Sequence, residues 1–149
     1  MTDFLNKIIA TILAFMILFV GPAAVLTLSM QLTMERSVMN EMSSFVDKVT
    51  DNGTITDTEL ADFYLGAASN GAVMDIKIYR YMTVAVPDGT GGTDTVYQLV
   101  DNIMSYNKGD YIQVRVKAID YTGAQRLLYR IANIFMGKFD ETMSGRVRN

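Results

Sequence analysis

The fold class predicted by this sequence is α+β: a long N-terminal α-helix followed by a small C-terminal head containing a short antiparallel sheet. Three observations carry that reading. Residues 8–30 run IIATILAFMILFVGPAAVLTLSM, without a single charge. The apolar positions that follow keep a helical spacing as far as residue 49. Past residue 53 the pattern changes, and two stretches of alternating apolar and polar side chains stand among shorter helical ones. The organisation expected is therefore a helix over 1–52, apolar over 8–30 and amphipathic over 31–50, with the head over 53–149.

The apolar stretch meets the demand of a membrane crossing, since a helix rising ~1.5 Å per residue needs about 20 such residues to span a hydrocarbon core. A cleavable signal peptide is the main competitor, because Lys7 precedes the stretch and Pro22-Ala23-Ala24 has small residues suited to cleavage. Apolar character nevertheless continues through Val25, Leu26, Leu28 and Met30, which favours a retained segment. Orientation is weakly specified, since Lys7 stands near Asp3 on one side and Arg36 beside Glu35 on the other. Proline lacks an N–H and crowds the preceding turn, so Gly21-Pro22 predicts a kink or a locally melted turn.

Beyond the apolar stretch, Leu26, Met30, Met34, Val38, Met42, Phe45 and Val49 recur at spacings of three or four, a stripe along one helix face. Asp51-Asn52-Gly53 supplies the stop, with glycine suited to the left-handed conformation after a helix end. A helix over 4–50 would be roughly 70 Å long. The upper half of the stripe is expected to pack on the chain's own head, and part of it against other copies of the chain. Methionine suits both tasks, being flexible enough to fill irregular surfaces.

In the head, Thr56-Asp57-Thr58-Glu59 has the form of a capping box and predicts a helix over 57–68. Residues 73–86 predict a strand with Met74, Ile76, Ile78, Met82, Val84 and Val86 on one face. Arg80 interrupts that face, which suggests a sheet edge or exit. Pro87 ends the strand, and Asp88-Gly-Thr-Gly-Gly-Thr93 reads as an exposed loop. Residues 94–106 fit either a helix or the start of a strand. A second strand is expected over 111–120, and a helix over 123–137 with Leu127, Leu128, Ile131, Ile134 and Phe135 on its apolar side. Residues 144–149 read as a frayed tail.

The chain has 149 residues, 13 bases, 16 acids, and neither histidine nor cysteine. That composition rules out Ser-His-Asp and Cys-His nucleophiles, disulfides, and metal sites built on the usual nitrogen or sulfur ligands. Residues 48–59 place glycine and glutamate as a calcium loop would, but Lys48 at the first ligand position disqualifies it. The loop over 89–92 lacks the lysine and helix start of a phosphate cradle. Asp47, Asp51, Asp57, Glu59 and Asp62 read as a solvated acidic surface. No enzyme activity, cofactor, metal or nucleic-acid partner is expected. Residues 1–70 hold three bases and eight acids, and residues 71–149 ten bases and eight acids, which suits a head-to-stem contact within or between subunits. Arg126, Arg130 and Lys138 would face solvent from a helix docked on the sheet, or alternatively lipid head groups.

This order of parts resembles that of type IV pilins and pilin-like proteins. The matching features are the apolar segment from Ile8, Gly21-Pro22 within it, the amphipathic continuation, and the small α+β head. Phe45-Val-Asp-Lys-Val-Thr-Asp-Asn-Gly-Thr-Ile-Thr56 and Lys108-Gly-Asp-Tyr-Ile-Gln-Val-Arg-Val116 are similar to tight-adherence-type pseudopilins of bacteria. The family's glutamate near the mature N-terminus has no counterpart within the apolar stretch, where Asp3 is the nearest carboxylate before it. The resemblance implies a structural subunit of an extracellular, pilus-like helical filament, a homo-oligomer joined through its N-terminal helix and held in membrane lipid before assembly. The residues expected to serve membrane residence and self-assembly are Ile8, Ile12, Phe15, Leu18, Phe19, Gly21, Pro22, Leu26, Met30, Met34 and Val38. The alternative is a single-pass membrane-anchored protein, head outside, that binds a partner within a secretion or pilus assembly complex.

Overall fold

The computed structural model describes residues 2–69, 71–132 and 137–149. Helix α1 (Thr2–Phe15), a π-helical turn (Met16–Val20) and helix α2 (Gly21–Asn52) follow one another without a break. Next come α3 (Asp57–Ala68), strands β1 (Met74–Pro87), β2 (Thr93–Val100) and β3 (Tyr111–Ala118), helix α4 (Gly123–Ala132) and strand β4 (Asp140–Arg146). The chain divides into two compact units. One takes the residues up to Glu35 with those from Tyr121 to Gly137, and the other takes Arg36–Asp120 with Lys138–Asn149.

In the first unit the helix passes through Gly21-Pro22 instead of melting there. The Gly21 N–H donates to the Met16 carbonyl, five residues back, and Gly21 itself stays right-handed. Widening one turn in this way keeps the ladder going where the proline N–H is lacking. Phe15 and Phe19 stack across the widened turn with centroids 4.6 Å apart. Helix α4 is grouped with this unit. Thr122 and Gln125 cap α4 reciprocally, each backbone N–H donating to the other's side-chain oxygen. Ile134 and Phe135, expected on its apolar side, lie outside the described residues.

The second unit is the α+β head. Its sheet is antiparallel throughout, in the order β2-β1-β3-β4. Strand β3 alternates cleanly: Ile112, Val114, Val116 and Ala118 are buried, and Arg115 and Lys117 are exposed. Against that face lie Val38, Met42, Phe45, Val46 and Val49 of α2, with Phe63 of α3 stacked 4.4 Å from Phe45. Each such buried side chain contributes about 1.5–3 kcal/mol by leaving water. The junction between α2 and α3 is a helix–turn–helix. Gly53 takes a left-handed φ of 70° and donates to the Val49 carbonyl, and the Thr56–Glu59 capping box forms in full. The Thr56 N–H, donating to Glu59, holds that carboxyl below its ordinary pKa.

Two expectations for the head are revised, and one left open is decided. Residues 93–100, compatible with either period, are strand, because the loop after Pro87 folds them back on β1 with Val84 opposite Val96. Asp88 fastens that loop by accepting from the Thr90 and Gly92 N–H groups, both at 2.8 Å. The tail is not frayed, since β4 pairs with β3 and Val147 is buried. Beyond β4, the Arg148 N–H donates to the Thr50 carbonyl at 2.9 Å. Arg80, lastly, is buried in the middle of the sheet instead of at an edge, opposite both Val100 and Ile112.

Candidate functional site

The strongest functional feature is the apolar helix itself. It is long and apolar enough to cross a membrane, and none of its most apolar 18-residue window is buried. Ile8, Ile12, Phe15, Leu18, Phe19, Leu26 and Met30 are all exposed, as are Gly21 and Pro22. Both threonine hydroxyls within it are internally satisfied. Thr11 Oγ1 donates to the Lys7 carbonyl and Thr27 Oγ1 to the Ala23 carbonyl, at 2.8 and 2.9 Å. Such back-bonding spares the hydroxyls an unpaired donor in a medium without water.

The exposed surface stops abruptly along the stripe. Met30 is 67% exposed, Met34 only 8% and Val38 not at all. The two upper residues expected to serve assembly are thus buried within the chain itself, Val38 inside the head's core. The other nine remain uncovered. From Val38 onward the stripe lies in the head's own core, with Met42, Phe45 and Val49.

Within the head, the most constrained polar cluster surrounds Arg80. Its guanidinium donates through Nε and a terminal nitrogen to Asp110 Oδ2, at 3.0 and 2.7 Å, and through its other nitrogen to the Asn102 carbonyl at 3.3 Å. Asp110 also accepts from the Asn107 and Thr83 N–H groups. Burial pushes the Asp110 carboxyl up, but the Asn107 N–H, the guanidinium and the Thr83 N–H outweigh it and hold the pKa below the ordinary value. The Arg80 guanidinium carbon lies 5.3 Å from the centre of the Tyr106 ring. Burial drives the Tyr106 phenol strongly upward, so it stays neutral, and its hydroxyl has no hydrogen-bond partner among the described residues. The cluster is closed to solvent and ties β1, β3 and the 101–110 connection together. Its geometry is that of a structural tie.

The outer face of the sheet is different in kind. Tyr81, Tyr97, Tyr111, Gln113 and Ser144 line a shallow groove of about 280 Å³. Tyr97 and Tyr111 meet edge to face at 4.9 Å, and the Tyr81 hydroxyl and Gln113 Oε1 are 3.1 Å apart. Lys108, Gly109, Arg146, Val147 and Arg148 line a second groove nearby, of about 540 Å³. None of these residues stood out as a site in the sequence. Their only signal was the tyrosines at alternate positions opposite the apolar face. The acidic residues from 47 to 62, by contrast, do not converge: Glu59 is engaged in its capping box and Asp51 lies 3.4 Å from Arg148.

Comparison with protein-family models, with curated proteins and with solved structures yields no match for this chain.

Proposed function

We propose that this chain is a structural subunit of an extracellular, pilus-like filament. Its N-terminal helix resides in a membrane first and packs against copies of itself after assembly. The observation that carries this reading is the apolar helix, unburied over its most apolar window, in a chain whose head possesses a core of its own. Side chains such as Phe15, Leu18, Phe19 and Leu26 must be covered by something other than water, at ~25 cal/mol per Å² of apolar surface. Lipid covers them around a single chain, and neighbouring helices cover them in a bundle. The same surface therefore serves both states, and the head stays outside in each.

The test is electron microscopy of material sheared from cells producing the full chain, with mass spectrometry of the filament protein. Filaments containing the peptide over residues 8–32 support the proposal. A chain found only in the membrane fraction, with no filaments, overturns it in favour of a single-pass anchored protein binding a partner in a secretion or pilus assembly complex.

A further inference from the structure

The two grooves on the outer face of the head share a border. Arg146 stands on β4 directly opposite Tyr111 of β3, and it also lines the cationic groove with Lys108 and Arg148. One of its terminal nitrogens lies 3.7 Å from where a side chain on Gly109 would begin. Its charge is felt at Tyr97, where it opposes the rise in phenol pKa produced first by the Tyr111 hydroxyl. Aromatic groove and cationic groove thus form one continuous surface centred on Arg146.

The cations on this surface are largely unspent. The side chains of Lys108 and Arg146 have no hydrogen bond or ion pair among the described residues. Arg148 shares an exposed contact with Asp51 at 3.4 Å, of the kind worth little in water. Asp110 is the acid adjoining Gly109 in sequence, but its charge is taken up by Arg80 in the buried pair. The surface therefore asks for an anion beside a ring with an apolar face.

We infer that this surface, formed by Tyr81, Tyr97, Tyr111, Gln113, Lys108 and Arg146, binds an acidic saccharide chain. The tyrosine rings supply flat apolar faces for the C–H face of a pyranose, with hydroxyl groups at their rims. Gln113 and Ser144 supply further partners for sugar hydroxyls, and Arg146 with Lys108 receives the carboxylate. The platform crosses all four strands, from Tyr97 on β2 through Tyr81 and Tyr111 to Ser144 and Arg146 on β4. At ~4.8 Å between strands it is about 14 Å wide, room for a short oligosaccharide. A peptide adding as a strand would use a free sheet edge, whereas here side chains alone face the ligand. A polynucleotide would also stack and pair its phosphates, but a net charge of −3 repels so dense a polyanion. The site belongs to the head alone and does not depend on the filament proposal.

The experiment is calorimetric titration of the full chain, in nanodiscs of phosphatidylcholine, with tetragalacturonate. Neutral maltotetraose, hexaglutamate and a twelve-residue oligo-dT are titrated in parallel. Saturable binding of tetragalacturonate is expected, with at least about tenfold weaker binding of the three comparison ligands, since each lacks either the charge or the sugar face. Arg146→Gln and Tyr97→Ala are each expected to weaken it about tenfold, Arg146→Gln with the melting temperature unchanged because its side chain is exposed, and Tyr97→Ala with a small loss from its contact with Tyr111. Lys108→Gln serves as the second cationic variant if Arg146→Gln disturbs β4. Absence of saturable binding, equal binding by these variants, or tighter binding of hexaglutamate or oligo-dT overturns the assignment.

Discussion

Arg80 and Asp110 show how much one pair of side chains can demand of a small domain. A charge taken out of water is tolerable only with its hydrogen bonds filled, and here Asp110 receives Arg80, Asn107 and Thr83 together. Asp110→Ala leaves the guanidinium buried and unpaired, and is expected to cost the head about 3–5 kcal/mol in chemical denaturation of the full chain. Joint replacement by Arg80→Met and Asp110→Leu should recover most of that loss. The sign of the pH dependence follows from the depressed Asp110 pKa. Stability from this carboxylate is full above the unfolded value of about 3.9 and is lost as pH falls through the lower folded value. Melting curves between pH 7 and pH 2 should therefore fall less steeply in acid for the double variant than for the native chain. Arg80 was legible in the sequence as an anomaly on an apolar face. Its partner was not, because Asp110 lies 30 residues away and arrives there only through the turn over 107–110.

Among the elements, those with strong local signals were read correctly, and those decided by distant partners were left open or misread. The capping box at Thr56 fixes the start of α3, and β3 announces itself by alternation. Strand β2 carries apolar residues compatible with two periods, and only its pairing with β1 selects one. Strand β4 is short and polar, and its inward positions Met143 and Gly145, continued by Val147 just past its end, include a residue without a side chain. That glycine marks where β4 crosses α2: a Cβ there would sit 2.6 Å from Thr50 Cγ2 and 2.7 Å from Val46 Cγ1. Gly145→Val is therefore expected to destabilise the head by about 1–3 kcal/mol or more. Hydrogen exchange should quicken over 143–148, the segment that would lift away, more than over 112–116. If exchange in β4 is unchanged, the close approach does not hold the strand.

At the scale of the whole molecule, the sequence revealed the change from an apolar to an amphipathic helix near residue 30, but not which residues of the stripe are covered. Hydropathy showed an uncovered segment and an amphipathic one, yet could not say that Met34 is already interior while Met30 is bare. The outer groove was illegible for a related reason, since tyrosines on a solvent face follow the same alternation whether or not they gather. A charge in the middle of the bare segment tests its need for an apolar medium. Leu18→Arg should raise the cost of insertion by about 3 kcal/mol and shift the chain out of the membrane fraction on sucrose-gradient flotation. The widened turn at Met16–Val20 has one more effect on this segment. By spending an extra residue it acts as a phase slip, displacing the side-chain rows before it by about 100° in azimuth from those of an uninterrupted helix. No single straight row of side chains then runs the length of the segment, and the face presented below the turn is rotated from the face presented above it.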